Sequence, residues 1–233
     1  VESVATVILL RHARSTANGS GVLAGRSLGV GLDERGQAQA AALVGRLKDI
    51  PVCAVVSSPL QRCEETLAPL LADRALEAVA EPDVSEVDYG AWTGKALKDL
   101  LNEPLWAVVQ QHPSAAVFPE GEGLAHVQAR AVAAVRAHDA RITEEHGPGA
   151  VWVLCSHGDV IKAVLADALG VHLDGFQRIV VDPCSISVVQ YTQTRPFVLR
   201  VNDNGGDLAG VVPKAPPQEE PSSDATVGGA TGT

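Results

Sequence analysis

The sequence predicts an α/β protein, a three-layer α/β/α sandwich around a mostly parallel sheet. Three short runs, Val4–Leu10, Pro51–Ser57 and Ala150–Cys155, are rich in aliphatic and β-branched residues without polar alternation. That is the pattern of strands buried on both faces. Each run precedes a segment of helical periodicity, and alternating strands and helices fold into a parallel sheet with helices packed on it. The chain has 233 residues, 46% of them hydrophobic and only 3% aromatic, so one sizeable core is expected, filled by Ala, Val and Leu rather than by rings.

In chain order, the first strand stops at Arg11-His12. A helix is predicted after the N-cap Asp33, with Ala40, Leu43, Val44 and Leu47 on one face. After the second strand, Ser58-Pro59-Leu60-Gln61 combines an N-cap serine, a first-turn proline and a capping-box glutamine. Leu60, Cys63, Leu67 and Leu70 form the expected buried stripe of that helix. A mainly helical insertion is expected over about 95–146, its long helix presenting Leu124, Val127, Ala131, Val135 and Ile142. After the third strand comes a helix over Gly158–Leu169, with Ile161, Val164, Leu165 and Ala168 inward and Gly170 as its stop. Ser185–Tyr191 and Phe197–Val201 read as a hairpin on a sheet edge. The domain is expected to occupy 1–202. The Gly, Pro and acidic residues of 203–233 read as a tail, disordered from about 213, because they cannot bury enough apolar surface to fold.

A net charge of -10 argues against nucleic acid and anionic membrane as partners, since both repel an acidic chain. No apolar run reaches the length of a membrane span, and the Val4–Leu10 run is too short and wrongly flanked for a signal peptide. The four cysteines make no disulfide framework, and Cys53 and Cys155 lie in strand-like runs where a reduced thiol acts as a small hydrophobe. A reduced, cytoplasmic protein is expected.

Ligands of parallel sheets bind beyond the carboxyl ends of the strands. There the sequence places Arg11 and His12 after the first strand, Arg62 in the first turn after the second, and His157-Gly158 opening a helix after the third. Two guanidiniums, two imidazoles and a helix N-terminus suit a compact dianion, phosphate above all. Arginine keeps its charge at every relevant pH, and its planar fork matches phosphate oxygens.

These residues lie in four motifs, RHARSTAN, SSPLQRCEET, SEVDYGAWTG and CSHGDV, whose order resembles that of the histidine phosphatase superfamily, phosphoglycerate mutase-like branch. The ending from Val181 is similar to an actinobacterial subgroup regarded as phosphomutases. The resemblance implies the phosphoglycerate mutase-like fold. It implies that His12 is the nucleophile that becomes phosphorylated, with Arg11, Arg62, His157 and the Gly158 helix end completing the phosphate pocket. Asn18 corresponds to the polar residue closing the phosphate loop and Glu86 to the proton donor. Asp83 and Asp88 compete with Glu86 for that role. Protonated His157 would meet charge on the transferring phosphoryl group, with no metal and no cofactor required. The family's glycine after the histidine is Ala13 here. Arg14 would either add charge at the pocket rim or point outward. Glu122 follows Gly121 as in a family pair near the substrate, but Gly123 stands where that pattern has serine, so Glu122 is left outside the core site.

The expected function is hydrolysis of small phosphorylated metabolites, with a phosphoglycerate mutase-type phosphomutase and a non-catalytic phosphate-binding module as alternatives. Hydrolysis is preferred because the interval between Glu86 and His157 is short. Its cations, Lys95, Lys98, Arg130, Arg136 and Arg141, read mostly as helix surface, too few to hold a second phosphate. His112, His126, His138, His146 and His172 read as surface or rim residues, and Trp92 as packing near the site. Gly90–Lys95 fails the spacing of a P-loop, no cysteine has an arginine six residues on, and no zinc pattern is present. Sheet-edge dimers are common in the family, so a homodimer is compatible with the sequence, although no residue demands one.

Overall fold

A computed structural model describes residues 3–206. Its main elements are β1 (Ser3–Arg11), α1 (Thr16–Ser20), α2 (Glu34–Arg46), β2 (Val52–Ser57), α3 (Gln61–Arg74), β3 (Ala78–Ala80), α4 (Leu97–Leu100), α5 (Pro104–Gln111), α6 (Leu124–His146), β4 (Val151–Ser156), α7 (Gly158–Leu169), β5 (Ile186–Thr192) and β6 (Phe197–Asp203). The six strands form one sheet in the order β3-β2-β4-β1-β5-β6. The pairs β1–β4, β4–β2 and β2–β3 are parallel, while β5 runs antiparallel to β1 and β6 antiparallel to β5. The mostly parallel sheet and its edge hairpin are as the sequence predicts.

Continuous apolar strands are explained by a core on each face. Along β1, Val7 and Leu9 join Trp152, Leu154, Val127, Ala131, Ile161 and Val164 on the α6–α7 side. Ile8 and Leu10 point the other way, to Leu43, Leu67, Leu70, Val55 and Val153 beneath α2 and α3. Each fully buried aliphatic side chain contributes about 1.5–3 kcal/mol, so the alternation fixes the sheet between two helical layers. Trp92, Trp106 and Phe118 lie together on the α6–α7 side, Trp92 stacking on Trp106 at 6.3 Å. Trp92 thus packs as the sequence suggests.

The structure departs from the sequence reading in four places. First, α3 starts at Gln61 with Leu60 as its N-cap and no side-chain capping bond; the Ser58 hydroxyl contacts His157 instead. Leu60 is only partly buried, and Thr66 joins Cys63, Leu67 and Leu70 in the buried face. Second, β3 was not foreseen, because three residues with partly exposed side chains carry no pattern. Third, the middle segment holds α4, α5 and α6 but an irregular stretch runs over 116–123. There Gly121 lies so close to the chain at 88–90 that a Cβ would sit 2.3 Å from the Asp88 carbonyl oxygen. Fourth, β6 continues to Asp203, whose carbonyl accepts a hydrogen bond from Arg46 at 2.8 Å. The tail expected over 203–233 lies, from 207 onward, outside the described residues.

Asp33 caps α2 as predicted, accepting from the Gly36 N–H at 2.8 Å. Gly170 ends α7 in the left-handed conformation. All four cysteines are free. Among the described residues no helix is long and apolar enough to cross a membrane.

Candidate active site

Strand register brings the site together. Arg11 lies opposite Ser156 and Ser57 opposite Cys155, so β1, β2 and β4 end at one level and release their following residues into one space. His12 is held there by its N–H to the Ser156 carbonyl, 2.9 Å. Its Nδ1 lies 2.7 Å from the Ala13 carbonyl oxygen. That contact requires an N–H on Nδ1 and leaves the Nε2 lone pair facing the site. Ala13 is fully buried, and its N–H donates to Thr66 Oγ1 at 2.8 Å.

Arg62, buried at the start of α3, donates from Nε to His12 Nε2 at 3.3 Å and from Nη2 to the Gly25 carbonyl at 2.8 Å. Its Nη1 is buried without a hydrogen-bond partner among the described residues. Neither Glu64 nor Glu65 claims it; Glu65 accepts from the Leu32 N–H and from Gln61, both at 2.7 Å. Arg11 is also fully buried, donating from Nη1 to the Val181 carbonyl at 2.7 Å.

His157 is the N-cap residue of α7, its ring centroid 5.2 Å from that of His12. Ser58 Oγ lies 2.8 Å from Nε2 and accepts from the Leu60 N–H at 3.4 Å, so its own proton is available for Nε2. With the Ser58 proton given to Nε2, the imidazole proton lies on Nδ1, which is buried and has no hydrogen-bond partner among the described residues. Glu86 is the one of the three competing acids that is buried beside the histidines. Its Oε2 is 3.7 Å from both Arg62 Nη2 and His157 Nδ1, and its Oε1 accepts from the Val87 N–H at 2.9 Å. Asp83 is exposed, and the Asp88 carboxylate accepts from the Gly90 N–H at 3.0 Å.

The electrostatics follow from burial. Desolvation, reinforced by the Arg62 and Arg11 charges, pushes the His12 imidazolium well below its ordinary pKa. The same desolvation and Arg62, with His12 and Arg11 behind them, lower His157 well below its own. Burial and the two arginines thus hold both rings toward the neutral form, and a protonated His157 would need the charge of a bound dianion to oppose them. Burial raises Glu86 to about 7, with the Asp159 charge adding to the rise and Arg62 opposing it.

Arg14 gives its charge to Asp33 at 2.6 Å, beside the α2 N-terminus, rather than to a pocket rim. Asn18 forms a capping box with Ser15, its Oδ1 accepting from the Ser15 N–H at 3.0 Å and hydroxyl at 2.8 Å. Oδ1 is thereby committed to Ser15, and Nδ2 is the donor of the carboxamide that remains. His138 is not simple surface: it lies 2.8 Å from Glu81 and is mostly buried. Arg130 is no surface residue either. It donates to the Asp83 carbonyl at 2.6 Å, the Ser85 carbonyl at 3.0 Å, the Glu86 carbonyl at 3.3 Å and Glu122 at 2.6 Å. Its position three residues after Val127, on the border of the buried stripe, was the available signal.

Sequence reasoning also missed Asp159. It is buried behind the site, accepting from the Tyr89 hydroxyl at 2.8 Å with Lys162 Nζ at 3.4 Å. A carboxylate in the first turn of an apolar helix reads as a partner for the helix N-terminus and gives no cue to these side-chain partners. Among the described residues no group of three or more His, Cys, Asp or Glu side chains is placed to hold a metal.

The chain belongs to the histidine phosphatase superfamily (branch 1), whose family profile matches residues 7–204. It is 30% identical over 201 residues to phosphoserine phosphatase 1 of Hydrogenobacter thermophilus, covering 84% of this chain and 91% of that protein. A Cronobacter sakazakii protein named as a probable phosphoglycerate mutase is 27% identical over 208 residues, covering 87% and 93%. The fold matches that of Bacillus stearothermophilus YhfR with a TM-score of 0.78 at 24% identity, over 85% of this chain and 97% of that one. The protein is accordingly an enzyme of the phosphatase and phosphomutase type, with the phosphoglycerate mutase-like fold.

Proposed function

We propose that this enzyme hydrolyses small phosphate monoesters through a phosphohistidine formed on His12. The observation that carries the reading is that Arg62 Nη1 and His157 Nδ1 are buried without a hydrogen-bond partner among the described residues, on side chains that adjoin the His12 ring. Burying an unpaired donor costs about 1–3 kcal/mol, and a phosphate dianion would satisfy both.

In this mechanism Arg11, Arg62, His157, Asn18 Nδ2 and the Gly158 N–H at the start of α7 hold the phosphoryl oxygens. His12 Nε2 attacks phosphorus in line as the ester P–O bond breaks, and Arg62 Nε moves from His12 Nε2 to a phosphate oxygen. Protonated Glu86 gives its proton to the departing alkoxide. The resulting carboxylate then takes a proton from water as that water attacks the phosphohistidine, returning neutral His12 and releasing phosphate. A carboxyl with its pKa at about 7 can serve as acid and then base near neutrality. The arginines supply fixed positive charge for the transition state in a water-poor pocket.

Hydrolysis is favoured over phosphoryl return by the state of the remaining cations. In the helical middle segment, Lys95, Arg130, Arg136 and Arg141 face Glu103, Glu122, Asp167 and Glu145 respectively. Arg130 is held in a largely buried pair, and the others are single cations spread over exposed pairs rather than a cluster that would hold a second phosphate. The relative named for phosphoserine hydrolysis supports the same choice. The test is p-nitrophenyl phosphate turnover in EDTA, with quench analysis for an acid-labile phosphoenzyme. The wild type is expected to show both, and His12→Ala neither; undiminished turnover in the variant removes His12 as nucleophile. Conversion of 3-phosphoglycerate in the presence of 2,3-bisphosphoglycerate is expected to be absent, and efficient conversion would establish the mutase instead.

A further inference from the structure

We propose that Arg26 forms a leaving-group subsite selecting phosphate monoesters whose alcohol carries a carboxylate, an inference that rests on the phosphatase reading above. Arg26 belongs to a turn attached directly to the phosphate pocket. The preceding residue, Gly25, accepts the 2.8 Å hydrogen bond from Arg62 Nη2. Gly25 has φ +51°, and a Cβ there would lie 2.9 Å from Thr93 Oγ1, so the turn is tightly seated as well as tied. One residue on, the Arg26 Nε donates to the Glu86 carbonyl at 2.8 Å. Glu86 is the group proposed to protonate the leaving oxygen, and Arg26 is fixed to its backbone, next to the residue that would meet the leaving group.

Arg26 differs from the arginines of the phosphate pocket in being available. Its side chain is 42% exposed, and its Nη1 has no partner among the described residues. Its Nη2 reaches Glu122 Oε1 at 3.2 Å, but Arg130 already holds both oxygens of that carboxylate, at 2.6 and 3.1 Å. The Asp88 N–H donates to the same Oε1 at 2.9 Å. Two guanidiniums therefore share one carboxylate. Of the other acids nearby, Asp88 is turned to the Gly90 N–H, and Glu86 is protonated in the state that begins the reaction. Positive charge is left over beside the leaving group.

A carboxylate a few bonds from the ester oxygen would take that charge through Nη1, without displacing the Arg26–Glu86 contact. A neutral alcohol gains nothing from it, and a cationic one is repelled. A charge-assisted bond of this kind at a partly exposed site is worth a discrimination of about tenfold or more.

The test compares kcat/KM for 3-phosphoglycerate with glycerol 3-phosphate, and for phosphoglycolate with ethyl phosphate, alongside p-nitrophenyl phosphate. The wild type is expected to favour the carboxylate member of at least one pair by about tenfold or more. Arg26→Gln keeps a donor for the Glu86 carbonyl but removes the charge, and should bring that ratio close to one; Arg26→Lys should retain part of it. A ratio cancels any general effect of the substitution on Glu86. A wild type that cleaves p-nitrophenyl phosphate without preference in either pair, or a preference that survives in Arg26→Gln, overturns the subsite. A folded wild type that cleaves no ester overturns the phosphatase reading itself, and the subsite with it.

Discussion

Glu86→Gln separates the proposed acid's charge from its surroundings with little change in shape, since glutamine can still accept the Val87 N–H that now reaches Oε1 at 2.9 Å. The wild-type carboxyl has its pKa raised from 4.5 to about 7, chiefly by burial. A raised folded-state pKa means that the native protein binds the proton more tightly than the unfolded chain. The associated stability is fully present below the unfolded pKa and is lost as pH rises through the folded pKa. A shift of this size, at 1.36 kcal/mol per unit, corresponds to about 3 kcal/mol. Wild type should therefore lose about 3 kcal/mol relative to Glu86→Gln between pH 4.5 and pH 8. The two proteins should be separated least at the acidic end, and the variant should be relatively more stable above pH 7.

Urea unfolding of both proteins at closely spaced pH values measures this difference directly, because every other titrating group is common to the pair. In parallel, kcat for an alkyl phosphate should fall by about 10²–10⁴ in Glu86→Gln. The loss should be much smaller for p-nitrophenyl phosphate, whose leaving group departs without a proton. A stability difference that is flat from pH 4.5 to 8 would refute the buried, raised-pKa carboxyl. An equal loss of kcat on both substrates would refute its role as the acid.

Three further outcomes follow from the same geometry. Asp159→Asn removes a charge that raises the Glu86 pKa, so the basic limb of the kcat/KM–pH profile should move to lower pH; an unmoved limb contradicts the coupling. Ser58→Ala leaves His157 Nε2 only the Cys63 Sγ contact at 3.6 Å and should cost about 1–3 kcal/mol in chemical denaturation and lower kcat/KM; an active, equally stable variant contradicts a role for Ser58 in holding the ring. Gly121→Ala would push a Cβ to 2.3 Å from the Asp88 carbonyl oxygen, so the melting temperature should drop, with kcat falling as the Glu86–Gly90 segment is displaced; unchanged melting would show that the contact yields cheaply.

What was legible in the sequence has a common physical basis. Buried parallel strands require apolar residues on both faces, so β1, β2 and β4 stand out as continuous runs, and the sheet rule then locates the ligand at their carboxyl ends. Arg11, His12, Arg62 and His157 could be grouped from this alone, because each lies within a few residues of a strand end. Glu86 has no such landmark and was reached through the SEVDYG resemblance. The residues that were missed act through tertiary neighbours. Arg130 and Arg26 look like ordinary helix and loop cations until Glu122 and the Glu86 carbonyl are seen between them. Ser58 was read as a helix cap because Ser-Pro is a good cap locally, yet a hydroxyl 2.8 Å from a buried imidazole meets a need that no helix end in isolation can express.

The net charge of -10 belongs to the same distinction between global and local properties. It describes the long-range field, which disfavours polyanions and is screened over about 8–10 Å at physiological salt. It does not describe a pocket in which Arg11 and Arg62 are fully or nearly fully buried. There the same burial that lowers the histidine pKa values and raises that of Glu86 makes each fixed donor more effective toward a bound dianion. An acidic exterior and a phosphate-binding interior are therefore compatible, and the half-exposed Arg26 lies where one gives way to the other.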